Sequence, residues 1–304
     1  MNVLSLFDGI SSGMLALEKA NIDVKNYYAS EVCPIAMKVS KNNYPNIRQL
    51  GDILKLNKSE LLQLGEIDLL IGGSPCQGFS RSGKQLNFKD PRSALFFEFV
   101  RVLETVKPKY FLLENVQMKQ EWQDIITSYL GVEPIAINSK LVSAQLRSRL
   151  YWTNIPGVEK PKDKEIELSS ILTNGYTNRK KSRALLEGDS RPLITPHKMF
   201  HRYYSTGFTT LVFKDKKHYN RCVEHYKTHF EGMSASDIDK YLEKNPLDLS
   251  VYDGVRYFNQ IEMERLQTVP EGYTDGLTRN QTASVLGNGW TIDVIAHIFS
   301  YIKD

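Results

Sequence analysis

The chain has 304 residues, 41% of them apolar and 24% charged, with 19 Gly and 12 Pro, which excludes a disordered, collagen-like or coiled-coil protein. Net charge is +4 but unevenly spread: Arg179 to Lys227 holds 12 Lys/Arg against four Asp/Glu, a local +8, leaving 27 against 31 in the remainder. Such a segment is either a polyanion footprint or a solvated Lys-rich face. In chain order, Val3 to Leu6 reads as a buried strand and Ser12 to Ala20 as the helix after it. Further strands are expected at Tyr27 to Ser30, Asp68 to Ile71, Lys109 to Leu113 and Ile135 to Asn138, with Leu150 to Asn154 strand-like. Helical periodicity marks Pro34 to Asn43, Lys58 to Leu64, Ser93 to Val106 and Trp122 to Leu130. This alternation predicts an α/β fold built on a doubly wound, mostly parallel sheet, with ligands at the carboxyl ends of its strands. After Pro156 the alternation stops; residues 157–255 are Lys-rich and carry five of the six histidines. They read as a smaller domain inserted into one formed by residues 1–156 and 256–304, with Val294 to Ile302 returning to the main sheet.

No apolar run reaches the roughly 18 residues of a membrane helix. Met1 to Leu6 lacks a basic flank and meets Asp8, so no signal peptide is expected. Cys33, Cys76 and Cys222 are odd in number and unclustered, which argues against a disulfide framework or a zinc site and for a reducing, cytoplasmic setting. The five histidines of residues 157–255 (His197, His201, His218, His225 and His229) show no convincing metal-ligand spacing, and no metal is expected.

The strand ends carry the chemistry. Phe7-Asp8-Gly9-Ile10-Ser11-Ser12-Gly13 runs from the first strand into a helix, with glycines suited to a tight turn against a ligand. Gly9 and Gly13 are four apart, so this is not the dinucleotide fingerprint. Glu31 ends the next strand, where an acid commonly grips a ribose hydroxyl, and Gly51-Asp52-Ile53 offers another carboxylate. With no Lys or Arg at these turns, the set suits a nucleoside cofactor without phosphates, such as S-adenosyl-L-methionine. Gly72-Gly73-Ser74-Pro75-Cys76-Gln77-Gly78-Phe79-Ser80 then places a thiol in a strand-end loop, and Glu114-Asn115-Val116 places a carboxylate at the next strand end. A thiol beside a carboxylate supplies a nucleophile and a proton donor in one cleft. In Gln145-Leu146-Arg147-Ser148-Arg149 the two arginines share one face of an extended stretch.

The order and identity of these blocks resemble the cytosine-5 DNA methyltransferases, as do Arg256, Glu264-Arg265-Leu266-Gln267 with Pro270, and Gln281 through Leu286-Gly287-Asn288-Gly289-Trp290. The resemblance spans the chain except residues 157–255, which occupy the place of a target-recognition domain. It implies that Cys76 attacks carbon 6 of a flipped-out cytosine in double-stranded DNA. Glu114 would hold ring nitrogen 3 and the exocyclic amine, Arg149 the carbonyl oxygen with support from Arg147, and Asn115 the loop of Pro75 and Cys76. It further implies cofactor contacts from Phe7, Asp8, Gly9, Gly13, Glu31, Val32, Asp52, Ile53, Pro75, Leu95, Asn288 and Trp290. Gln77, Arg81, Ser82 and Arg256 are the implied substrate contacts.

Val32 stands where many bacterial members have Trp, and Asn288-Gly289-Trp290 replaces the commoner Asn-Ser-Val. In both, the chain looks more like the catalytic domain of the animal de novo DNA methyltransferases. The length leaves no room for their chromatin-reading domains, so a stand-alone bacterial or phage enzyme is expected: monomeric, without membrane attachment, nucleoid-associated when on DNA, and paired with a separately acting restriction endonuclease where it belongs to a restriction system. A tRNA cytosine-5 methyltransferase shares this chemistry, but such enzymes carry Pro-Pro-Cys and Cys-Phe-Thr segments, and here Ser74 precedes Pro75-Cys76 and no Cys-Phe-Thr occurs. A catalytically inactive DNA-binding relative is the other alternative; Cys76 and Glu114 are both intact.

Overall fold

The computed structural model describes residues 1–74, 94–186 and 195–303. Short apolar runs form the strands of one seven-stranded sheet. Its strands are β1 (Asn2–Leu6), β2 (Asn26–Ser30), β3 (Arg48–Gln49), β4 (Leu69–Gly73), β5 (Tyr110–Val116), β6 (Ile135–Asn138) and β8 (Ser148–Thr153), in the order β3-β2-β1-β4-β5-β8-β6. The β1–β2, β1–β4, β2–β3 and β4–β5 pairs are parallel, whereas β8 runs antiparallel to both β5 and β6. The expected sheet is therefore present, and the strand-like Leu150 to Asn154 is its one reversed member. A separate two-residue ladder joins β7 (Gln145–Leu146) to β9 (Ser182–Arg183).

Because side chains alternate across a strand, the sheet divides its apolar residues between two cores. Val3, Ala29, Leu69, Ile71 and Leu112 share one cluster with Leu17 of α1 (Ser12–Lys19), Val39 of α2 (Pro34–Asn43), Leu266 of α9 (Gln260–Gln267), Leu286 of α10 (Arg279–Asn288) and Ile295 of α11 (Ile292–Phe299). Leu4, Leu6, Leu70, Phe111 and Leu113 face the other way, meeting Leu61 of α3 (Lys58–Leu62), Phe99 of α4 (Ala94–Val106) and Trp122 and Ile126 of α5 (Gln120–Leu130). As expected, the C-terminal helix returns to the main body, with Ile295, Ile298 and Phe299 fully buried there. Asp293 at its start pairs with Lys19 and Lys164. Asn57 and Glu60 close the N-terminus of α3 with a capping box, and Thr278 and Gln281 do so for α10.

A third cluster packs Met199, Phe200 and Tyr203 of α6 (Pro196–Thr206) against Cys222 and Tyr226 of α7 (Lys216–His229) and Ile238 of α8 (Ala235–Lys244). Leu211, Phe213, Phe230, Tyr252 and Val255 also belong to it. Leu168, Ile171 and Leu185 belong instead to the main core, so the change of core falls nearer residue 199 than residue 157. The histidines here are engaged locally: His218 accepts from the Lys214 amide, His201 meets the Tyr226 hydroxyl at 2.7 Å, and His225 meets that of Tyr252 at 3.1 Å. Burial raises the Cys222 thiol to about 12, as befits a packed side chain. Tyr203 is buried and Tyr204 stacks on Phe200 at 5.9 Å, so both serve packing. Among the described residues no helix is long and apolar enough to cross a membrane.

Candidate active site

The parallel strands bring the expected acidic positions to one edge. At the end of β1 the chain turns sharply: Phe7, Gly9 and Ser11 all have positive φ, at 57°, 63° and 59°. For Phe7 and Ser11 that conformation is costly and holds only where surrounding contacts fix it. Asp8 supplies them. Its carboxylate is buried and accepts from the Tyr27 hydroxyl at 2.7 Å and the Ser11 hydroxyl at 2.6 Å. Burial lifts this carboxyl to about 6 against the pull of Ser11, Ser5 and Tyr27, with the Glu31 charge adding to the rise.

Glu31 ties the ends of β1 and β2 together. One oxygen accepts the Gly9 amide at 2.7 Å, and the other the Val32 and Cys33 amides at 2.8 Å each. Val32 beside it is 65% exposed, and Asp52 caps Leu54 at the end of β3. Ile53 is buried, and Leu95 is half-buried in the first turn of α4. Gly13 is needed for packing: a Cβ there would lie 2.2 Å from Ile71 Cδ1 and 2.7 Å from the Tyr27 hydroxyl. The residues fit a phosphate-free nucleoside group, with carboxylates at two strand ends and an exposed aliphatic side chain beside one of them.

The second half of the site lies at β5. Glu114 and Asn115 are inside the strand rather than beyond it, and both are buried. Arg149 on antiparallel β8 places Nε 2.9 Å from Glu114 Oε1, and the Trp290 indole N–H donates to Oε2 at 3.2 Å. Asn115 points its amide toward β4, donating to Ser74 Oγ at 3.0 Å, while its own oxygen accepts the Val116 amide. Ser74 is the last described residue of this stretch; Pro75, Cys76, Gln77, Arg81 and Ser82 lie outside the described residues.

The two arginines part company. The extended stretch is broken between β7 and β8, at Arg147, whose amide donates to Asn138 Oδ1. Its buried guanidinium donates to the Leu185, Gly287 and Gly289 carbonyls at 3.0, 3.1 and 2.8 Å, while Arg149 reaches Glu114. Arg147 therefore ties the motif to α10 and to the chain before residue 187, correcting the expectation of one shared arginine face. Gln145 does similar work, donating to the Leu266 carbonyl at 2.7 Å and to Gln267 Oε1 at 2.9 Å. Arg256 is committed to fully buried Glu262 through both carboxylate oxygens, at 2.7 and 2.9 Å, and to Asn174. Asn288 is exposed at the end of α10.

Sequence reasoning missed two features. Trp290, expected among the cofactor contacts, has its N–H on Glu114. Gly73, paired with Glu114 across β4 and β5, leaves the space for that contact: a Cβ there would lie 2.9 Å from Trp290 Nε1 and 3.0 Å from Glu114 Oε2. The consecutive Gly72-Gly73 at a buried strand end was the available signal.

Residues 1–127 match the family model described as C-5 cytosine-specific DNA methylase. Similar proteins include the type II methyltransferase M.NlaIV of Neisseria lactamica, 40% identical over 118 residues (38% of this chain and 27% of that protein). The orphan methyltransferase M.SPRI of Bacillus phage SPR is 38% identical over 119 residues (38% of this chain and 26% of that protein). The chain thus matches about a quarter of the length of these curated relatives. Among solved structures, a DNMT2 mutant of Spodoptera frugiperda covers 99% of this chain and 98% of its own at TM-score 0.70 and 18% identity. The Entamoeba histolytica methyltransferase EhMeth covers 99% and 97% at TM-score 0.71 and 18% identity. These two likenesses show the fold of the described residues, a mostly parallel seven-stranded sheet with flanking helices. Residues 1–127 are thus similar to the C-5 cytosine-specific DNA methylases over the first five strands of the sheet.

Proposed function

We propose that this protein transfers a methyl group from S-adenosyl-L-methionine to carbon 5 of a cytosine flipped out of a short specific sequence in double-stranded DNA. One observation carries the reading: a buried carboxylate, Glu114, holds a guanidinium, and its neighbour Asn115 grips Ser74, from which the chain enters Pro75-Cys76. The cofactor, when bound, supplies an electrophilic methyl group. Glu31 would hold its ribose and Asp52 the adenine amine, with Phe7 and Val32 as apolar walls.

The chain's own residues then divide the work. The Cys76 thiolate forms a bond to carbon 6, and the ring electron pair moves toward carbon 5. Glu114 delivers a proton to ring nitrogen 3 as the thiolate adds and accepts from the exocyclic amine, so the negative charge entering the ring is neutralised. Arg149, already on Glu114, holds the cytosine carbonyl oxygen. Carbon 5 takes the methyl group and loses its proton to a base, the carbon 6–sulfur bond breaks to return the thiolate, and nitrogen 3 gives its proton back to Glu114. Residues 157–255 serve as the recognition region, their basic segment meeting phosphates and a few side chains reading base edges. A cytoplasmic monomer, accompanied in a restriction system by a separately acting endonuclease, is the matching biology.

The direct test uses long mixed-sequence duplex DNA in which 5-fluorocytosine replaces cytosine. Fluorine cannot leave as a proton does, so the final elimination is blocked. With S-adenosyl-L-methionine present, a denaturant-stable protein–DNA adduct forms, and Cys76→Ala abolishes it. A cofactor-binding protein that gives no adduct contradicts the reading, and an adduct on fluorinated RNA alone moves the substrate to RNA.

A further inference from the structure

Glu114 has two neighbours on its two oxygens, and only one belongs to the arginine motif. Arg149 Nε is on Oε1 at 2.9 Å, and Trp290 Nε1 is on Oε2 at 3.2 Å. A carboxylate held at both ends by planar donors cannot rotate about its last bond without losing one of them. Each carboxylate oxygen has two lone pairs, so each keeps one acceptor position for another partner. The indole comes from the loop after α10, far away in sequence, and it fits because β4 presents a glycine there. Gly73 sits across the ladder from Glu114, where a Cβ would crowd both Trp290 Nε1 and Glu114 Oε2 at about 3 Å.

Trp290 is itself anchored. The Gly289 carbonyl just before it accepts from Arg147 at 2.8 Å, as does that of Gly287 at 3.1 Å. The Thr291 hydroxyl just after it donates to Gln267 at 2.9 Å and accepts from Ser139 at the same distance. An aromatic N–H held by its chain neighbours on both sides is a rigid pointer.

We propose that Trp290 is a positioning residue for Glu114, fixing the plane of the carboxylate through its indole N–H, and that Gly73 is required as the space for that contact. The proposal rests on the methyltransferase reading of Glu114. It separates Trp290 from the cofactor contacts with which its motif groups it, and gives Arg147 a part at one remove, through the carbonyls on which the indole is set.

The test combines kinetics with a signal independent of turnover. Trp290→Phe keeps the ring and removes the N–H, while Gly73→Ala keeps the N–H and crowds the contact. Each should lower kcat about tenfold, the scale on which small misplacements of reacting groups act, with KM for DNA and Kd for S-adenosyl-L-methionine changed less than twofold. In ¹⁵N-indole-labelled protein, the signal assigned by its loss in Trp290→Phe should move when Glu114→Ala removes the acceptor. A raised cofactor Kd with unchanged kcat at saturation overturns the proposal and makes Trp290 a cofactor wall. An indole signal indifferent to Glu114→Ala overturns it as well. Wild-type protein that methylates no cytosine overturns the parent reading and the positioning role with it, while the indole response still reports whether the contact exists.

Discussion

The sheet body and the region between residues 157 and 255 use polar atoms in opposite ways. In the body, buried polar side chains converge on strand ends: Asp8 and Glu31 on the β1 turn, Asn115 on Ser74, Glu114 on Arg149 and Trp290. Each holds a strand end or another side chain of the candidate site, and each lies in or beside a motif. In the α6–α8 region the polar atoms belong to aromatic and histidine side chains whose rings make the core, as in His201–Tyr226 and His225–Tyr252. Those contacts hold the region together without aiming at a common point. The lesson is that the polar side chains of the candidate site converge where several strand ends meet, whereas the α6–α8 region packs around its own aromatic cluster.

This contrast is sharpened most by variants that stop chemistry but leave DNA binding. Cys76→Ala should reduce methyl transfer by about 10⁴-fold or more, with DNA affinity in a mobility-shift assay close to wild type. Normal turnover would remove Cys76 from the mechanism. Glu114→Gln should cost roughly 10²- to 10³-fold in kcat, since the amide cannot transfer a proton to ring nitrogen 3, and a loss confined to KM would contradict its assignment.

Smaller effects test the scaffold. Arg256→Met strands the fully buried Glu262 carboxylate, held below its usual range by Arg256 and by the Asn259 and Thr173 amides despite its burial. The variant should lose about 3 kcal/mol in denaturant unfolding. If stability is unchanged but DNA affinity falls, Arg256 touches substrate instead.

Asp8 predicts a pH slope. Its carboxyl titrates near 6 in the fold against an ordinary value of 3.8. The folded state therefore holds the proton more tightly, and this contribution is complete below about pH 4 and lost as pH rises through 6. Relative to wild type, Asp8→Asn should flatten the fall in stability between pH 4 and 7 by about 2–3 kcal/mol. A slope that persists in the variant places the titration elsewhere.

The smallest effects belong to the basic segment Arg179 to Lys227, proposed to meet DNA phosphates. Single Lys→Ala changes at Lys180, Lys216 or Lys217 should weaken DNA binding a few-fold and reduce the salt slope by about 0.9 for each phosphate no longer neutralised, without altering kcat. A flat salt response would make the segment a solvated face.

The same contrast explains what could be read from the sequence. Strands of a parallel sheet are continuous apolar runs, so Val3 to Leu6 and Asp68 to Ile71 were legible to within two residues of the observed Asn2–Leu6 and Leu69–Gly73. Helical periodicity and strand-end motifs marked the rest of the body. The family motif placed Glu114 and Arg149 together, and they are paired. Arg147 was harder, because its partners are backbone carbonyls near residues 185 and 288, and no local pattern encodes them. Trp290 was grouped by its motif neighbours, whereas its N–H is placed by the absent side chain of Gly73. The helices α6, α7 and α8 escaped notice because their buried faces are built from residues such as Tyr203, His218 and Tyr226, whose apolar rings carry polar tips and blur the helical period.

The most direct measurement is bisulfite sequencing of a plasmid propagated with this protein in a host lacking cytosine methylation. Protected cytosines confined to one short motif are predicted, with protection absent in the Cys76→Ala control. Uniform conversion, with folded protein shown to bind S-adenosyl-L-methionine, would contradict the assignment of DNA cytosine as substrate.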